Sequence, residues 1–293
     1  MRSDQEMMDI ILTFAKNDDC IRVVTMEGSK LNKNAPVDIF QDFDIKFIVN
    51  NMEKYLKNDD WLNIFGKRII MQKPEAMPMF PPVWLDGSNR FSYLMLFEDG
   101  NKIDLGIVPI NELKQYFIKT DSLTKILIDK DNICPIISEP SDIDFHIKKP
   151  SAEFVDNCCT EFWFLSIYVT KGLCRSELIY AIKHLDMLRD QMLTMVSWKV
   201  GIDTLFSLSV GKSYKYLEKY VPIKLWESIT KTYKINSIED IWDSFILCCN
   251  IFQEITNFVT NELKYKCHKY NKKVIEYIKE YIPKEKLEKI KML

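Results

Sequence analysis

The chain has 293 residues, 47 % of them hydrophobic and 28 % charged, with a formal net charge of −2. That length suits about two domains of ordinary size, and the near-neutral charge argues against a general nucleic-acid binder, whose phosphate contacts call for a clear basic excess. Only 8 Gly and 11 Pro exclude collagenous or low-complexity architecture, and no apolar run approaches the ~18 residues of a membrane span.

Residues 4–17 carry Met8, Ile11, Leu12 and Ala15 at helical spacing. With acids among the first residues, this is an amphipathic helix and not a signal peptide. "CIRVVTM" is β-rich and predicts a strand, "EGS" a turn, and "FDIKFIV" a second strand. "MEKYLKNDDWLNIFG" predicts a helix and "KRIIMQ" a strand; the prolines of "PEAMPMFPPVWLDGSNR" predict a loop. "FSYLMLFEDGNKIDLGIVP" reads as two strands joined at "DGN", followed by a helix in "NELKQYF" and a short strand in "KILIDKD". Pro135, Pro140 and Pro150 mark a linker. Beyond it, Leu178, Ala181, Ile182, Leu185, Leu188, Met192 and Met195 recur three and four apart, which is one apolar helix face. The expected fold is α+β: a mixed-sheet domain over 1–134, a linker over 135–150 and an all-helical domain over 151–293. A cleft between two domains is a natural ligand site. The Lys-rich stretch 264–291 reads as a solvated helical face. The 8 Cys are scattered without a Cys-x-x-Cys, which argues against zinc and for free thiols in a cytoplasmic protein.

The chemistry concentrates on three aspartates. Side chains alternate along a strand, so Asp42 and Asp44 share one face while Phe43, Ile45, Phe47 and Val49 take the other. Two carboxylates so close resist joint ionisation unless a positive charge lies between them. Mg²⁺, which prefers oxygen ligands, answers that need; two exposed acids on a solvent-facing edge strand are the plain alternative. Gly28 and Ser29 lie just upstream after a strand, where the backbone can approach and hold a phosphate. Asp104 is a third acid isolated in an apolar strand, sharing its face with Lys102 and Gly106. Two further Asp-x-Asp pairs lack this context. Asp129 and Asp131 sit in a turn sequence, where Asp bonds its own backbone; Asp142 and Asp144 lie in the proline-bounded linker. "SVGKSY" resembles a phosphate loop only superficially: Phe206 stands where the first Gly is required, and no strand precedes it.

Gly-Ser, then Asp-x-Asp in a strand, then a lone Asp in a later strand resembles the nucleotidyltransferase superfamily related to DNA polymerase β. Longer stretches, among them "EGSKLNKN", "QDFDIKFIV", "NDDWLNIFG", "KPSAEFVDNCCTEFWF" and "VTKGLCRSELIYAIKHLD", resemble the aminoglycoside 6-adenylyltransferases, or streptomycin adenylyltransferases, from Met1 to about residue 270. That family commonly has Arg where this chain has Lys30. The resemblance implies transfer of AMP from ATP to a streptomycin hydroxyl, the 6-OH, with Mg²⁺ as cofactor and antibiotic resistance as the outcome. It implies Asp42, Asp44 and Asp104 as metal-binding and catalytic residues, Asp104 being the candidate general base. Gly28, Ser29 and Lys30 would contact the nucleotide. Glu161, Trp163 and Asp186 of the helical domain, with Asp156 and Glu177 beside them, are candidates for binding the cationic acceptor. The plain alternatives are a solvated helix face or helix end for each acid and core packing for Trp163, as for Trp198; His184 is expected to be structural. The expected partners are ATP and the aminoglycoside, with no nucleic acid and no membrane, and the expected state is a monomer. An adenylyltransferase of the same fold with another acceptor, and a non-catalytic binding module, are the alternatives.

Overall fold

The computed structural model describes residues 1–77, 90–266 and 271–290, and divides into two compact units, Met1–Asp144 and Phe145–Leu293. Most of the loop expected over 74–90 lies outside the described residues, as does Cys267.

The first unit is a six-stranded mixed sheet with helices. In chain order it runs α1 (Asp4–Asn17), β1 (Ile21–Glu27), β2 (Phe43–Val49), α2 (Glu53–Leu56), β3 (Arg68–Gln72), β4 (Phe91–Phe97), β5 (Lys102–Pro109), α3 (Leu113–Lys119) and β6 (Thr124–Asp129). The strand order is β3-β4-β5-β2-β1-β6, so β2 is central and not an edge. β2 and β5 are parallel and the other neighbours antiparallel. A capping box at Ser3 and Glu6 starts α1. Its buried side chains are Met7, Ile11 and Ala15, so Met8 and Leu12 flank the expected apolar face.

The helix predicted over 52–66 is broken into α2 and a 3₁₀ segment, Asp60–Phe65. The Asn58 side chain accepts the Asp60 N–H, a local bond that competes with helix continuation. Gly66, at φ 120°, ends the segment. The "DGN" turn forms as expected, with Gly100 at φ 85°.

Alternation gives the sheet two unlike faces. Phe43, Ile45, Phe47 and Val49 pack with Tyr93, Met95, Phe97, Ile103, Leu105, Ile107 and α1 into one apolar core. On the opposite face only the far ends of β2 and β5 are apolar: Ile48 and Val108 join Val23 and Tyr116 of α3. The strand beginnings carry the charges.

The second unit is helical: α4 (Ala152–Cys174), α5 (Leu178–Asp203), α6 (Ile223–Lys231), α7 (Ile238–Leu263) and α8 (Asn271–Lys279). Ser151 and Ser237 cap α4 and α7. The face expected on α5 is buried at Ala181, Leu185, Leu188, Met192 and Met195, whereas Leu178 is exposed. Arg189 is buried with them, bonded to Thr232 and Asp186 and stacked 4.0 Å from the Tyr233 ring centroid. In the basic C-terminal stretch, Lys286 departs from the expected solvated face: it is buried, and its Nζ donates to Asp243 at 2.7 Å. No helix among the described residues is long and apolar enough to cross a membrane.

The close approach of α4 to α5 at Gly172 gives a stability prediction. A Cβ on Gly172 of α4 would lie 2.9 Å from Tyr180 Cδ1 and 3.1 Å from the Ala181 Cα. Gly172→Ala gains about 1 kcal/mol of helix propensity, but overpacking against a backbone atom costs about 1–3 kcal/mol. A net loss is expected, read as a lower urea midpoint at unchanged m-value; a raised midpoint would refute the packing account.

Candidate active site

β1 ends at Glu27, and Gly28 turns the chain with φ 80° and ψ −152°, a conformation essentially confined to glycine. Its N–H donates to the Leu123 carbonyl at 3.0 Å, tying the turn to the start of β6. The Leu31 and Asn32 N–H groups close a 3₁₀ turn onto Gly28 and Ser29, and Gln41 Nε2 donates to the Ser29 carbonyl at 3.1 Å. The N–H groups of Ser29 and Lys30 have no acceptor among the described residues. They are the donors this turn can offer an anion.

Asp42 immediately precedes β2, and Asp44 is its second residue. The parallel register sets Asp44 directly beside Asp104 of β5, and the antiparallel register sets Glu27 beside Asp44. The three aspartates foreseen from sequence therefore share one sheet face. The turn presses on the same group: a Cβ on Gly28 would lie 2.3 Å from Asp44 Oδ2. Burial raises the Asp44 carboxyl to about 6; Lys46 opposes this, while Asp104, Asp42 and Glu27 add to it.

Two lysines stand among these acids. Lys102 Nζ donates to Asp42 Oδ2 at 2.5 Å and to Asp104 Oδ2 at 2.8 Å. Burial opposes its charge, but the Asp104 and Asp42 bonds lift Lys102 above its ordinary pKa. Lys46 lies across Gly106, where a Cβ would meet its Cδ at 2.6 Å, and its Nζ is 3.5 Å from Glu27. Glu27 also accepts the Tyr116 hydroxyl at 2.6 Å, which with burial raises the Tyr116 phenol. Alternation alone puts Lys102 on Asp104's face. Its reach to Asp42, and the parts played by Glu27, Lys46 and Gly106, depend on strand pairing that no local pattern encodes.

The donor set fits Mg²⁺ in kind, being made of carboxylate oxygens. Asp104 Oδ1 is buried and receives no directed hydrogen bond, though Lys102 Nζ stands 2.7 Å away. Among the described residues, no three acids, His or Cys already converge as a metal cage; Lys102 lies between Asp42 and Asp104.

The remaining expected site residues are placed differently. Lys30 turns to Asp4, 2.7 Å away, and lies 4.3 Å from the Phe43 ring centroid. In the helical unit, Glu161 is exposed on α4 and Glu177 precedes α5. Asp186 pairs with Arg189 at 2.5 Å. Trp163 is only 2 % exposed, edge-on to Phe162 and Phe252, so core packing takes its ring faces away from any ligand. Its Nε1 has no hydrogen-bond partner. His184 Nδ1 lies 2.8 Å from the Tyr180 carbonyl and the ring packs on Tyr180 and Tyr168, a structural setting. Trp198 packs on the helical core.

The other acid pairs are also structural. Asp129 accepts the Ile133 and Cys134 N–H groups, and Asp131 pairs with Arg22. Asp142 is buried and accepts from Asn34, and Asp144 accepts the Ser122 N–H. No strand precedes Gly211–Ser213.

Comparison with known proteins finds relatives that match nearly the whole chain. The family model described as streptomycin adenylyltransferase matches residues 1–281. The aminoglycoside 6-adenylyltransferase of Bacillus subtilis (strain 168) is 46 % identical over 278 residues, 94 % of this chain and 97 % of that protein. The aminoglycoside 6-adenylyltransferase of Campylobacter jejuni is 46 % identical over 279 residues, 95 % of each chain. That of Staphylococcus aureus is 36 % identical over 280 residues, 95 % of this chain and 98 % of that one. A crystal structure of an aminoglycoside 6-adenyltransferase from Bacillus subtilis matches with a TM-score of 0.47 at 41 % identity, covering 96 % of this chain and 99 % of that one.

Proposed function

The chain belongs to the streptomycin adenylyltransferase family, and from that premise we propose that it transfers AMP from ATP to the 6-hydroxyl of streptomycin in the cytoplasm, as a Mg²⁺-dependent monomer, and so confers resistance to the drug. The observation that carries this reading is the register of β2 against β5, which sets Asp44 beside Asp104, with Asp42 one strand step away and Gly28 folded onto Asp44. Nucleotidyl transfer depends on positioning and charge neutralisation more than on covalent enzyme chemistry, and this face supplies both.

Asp42, Asp44 and Asp104 would hold Mg²⁺. Bound there, the metal would neutralise phosphate charge and stabilise the attacking and leaving oxygens. The Ser29–Lys30 turn donates backbone N–H groups to the phosphates, with Gly28 keeping the turn tight against Asp44. Asp104 orients the acceptor hydroxyl and takes its proton as the oxygen bonds to the α-phosphorus. The bond from the α-phosphorus to the bridging oxygen breaks in the same displacement, and pyrophosphate leaves with that oxygen. Exposed acids of the helical unit, Glu161 and Asp186, pair with the guanidinium groups of the acceptor. Trp163, enclosed in its core, has no part in this.

The test is pyrophosphate release with ATP and Mg²⁺. Streptomycin is expected to start it and spectinomycin not to. Release with another acceptor but not streptomycin overturns the acceptor assignment. No release with any member of an acceptor panel overturns the reaction.

A further inference from the structure

We infer that Lys102 is a resident counter-ion of the carboxylate face, which a divalent cation must displace, so that this lysine weakens metal binding by the free protein and couples it to nucleotide binding. The inference rests on the reading of Asp42, Asp44 and Asp104 as metal ligands.

Lys102 Nζ contacts Asp42 Oδ2 at 2.5 Å, Asp104 Oδ2 at 2.8 Å and Asp104 Oδ1 at 2.7 Å. It therefore lies where a cation shared by those two aspartates would lie. An ammonium and a divalent ion cannot occupy that place together, since like charges at contact repel strongly and Mg²⁺ demands close oxygen ligands. The lysine is not trapped. Its side chain is 35 % exposed, with 32 % for Asp42 and 23 % for Asp104, and its four-carbon stem is flexible. Lys46 differs. It is laid over Gly106 and directed at Glu27, and it touches neither Asp42 nor Asp104.

Displacement leaves the ammonium on the same sheet face, two residues from Asp104. A metal ion arriving alone expels Lys102 and gives it nothing in return. A metal ion arriving with a polyphosphate supplies anionic oxygens for the freed ammonium to meet. Metal and nucleotide thereby favour each other's binding, and linkage makes that preference reciprocal.

The experiment measures Mn²⁺ binding by electron paramagnetic resonance, with and without a non-hydrolysable ATP analogue, in wild type, Lys102→Met, Lys102→Gln and the double variant Asp42→Asn/Asp104→Asn. Circular dichroism checks that each is folded. Lys102→Met and Lys102→Gln are expected to bind Mn²⁺ alone at least tenfold tighter than wild type and to gain less from the analogue. Unchanged or weaker Mn²⁺ binding in both folded variants, alongside binding that the double aspartate variant loses, overturns the role of Lys102 and leaves the metal site standing. Mn²⁺ binding by wild type that survives in the double variant, or none with or without analogue, overturns the metal assignment and this inference with it.

Discussion

Asp104→Asn is expected to remain folded and to lose AMP transfer by about 10²–10⁴-fold, the usual worth of a positioned acid or base. The substitution keeps shape and volume, and the backbone pairing of Asp104 with Asp44 and Leu94 does not involve the side chain. It removes one of the two carboxylate charges that Lys102 contacts and the proton acceptor that the parallel register places beside Asp44. Binding separates its two roles. If Asp104 serves only the acceptor hydroxyl, the variant binds Mg²⁺–ATP like wild type and fails at chemistry alone. If it also ligates metal, as proposed, Mg²⁺–ATP binding weakens as well. A folded variant transferring AMP at wild-type rates would sink both roles.

Gly28→Ala should nearly abolish activity without replacing any charged residue. Gly28 sits at φ 80° and ψ −152°, where a side chain costs about 1–3 kcal/mol in backbone strain. Its new Cβ would lie 2.3 Å from Asp44 Oδ2, far inside van der Waals contact, so the turn or the carboxylate must move. A displacement of about 1 Å at a reacting group is enough for a 10²-fold loss of rate. The expected outcome is a fall in kcat of that order or more, with a lowered thermal midpoint. Activity within about threefold of wild type would show that the turn does not position Asp44. The comparison with Gly106→Ala is informative: there the intruding Cβ meets the flexible Lys46 stem, which can yield, so a smaller loss is expected.

The legible parts of this chain were those whose signal is local. Strand alternation alone separates Asp44 and Asp104 from Phe43, Ile45, Ile103 and Leu105, and the Gly-Ser turn before Asp42 is visible as text. The hairpin at Gly100 and the apolar face of α5 follow from turn chemistry and helical period in the same way. Where competing local bonds decide, as at Asn58 within the helix expected over 52–66, periodicity overstates the element. Candidates resting on residue type alone fared differently. Trp163 has the right chemistry for a cationic acceptor but is enclosed by Phe162 and Phe252, whereas Asp186, though it contacts Arg189, stays 60 % exposed.

The sequence by itself determined which side chains face together, because period 2 in a strand and period 3.6 in a helix are properties of a few consecutive residues. Only the tertiary structure decided what they face. The pairing of β2 with β5, sixty residues apart, the central place of β2 in the sheet, the Gly28 turn folded onto Asp44 and the Lys102 bridge from Asp104 to Asp42 all arise from non-local register. Register is set by how two apolar faces fit around one core, and no single segment contains that information.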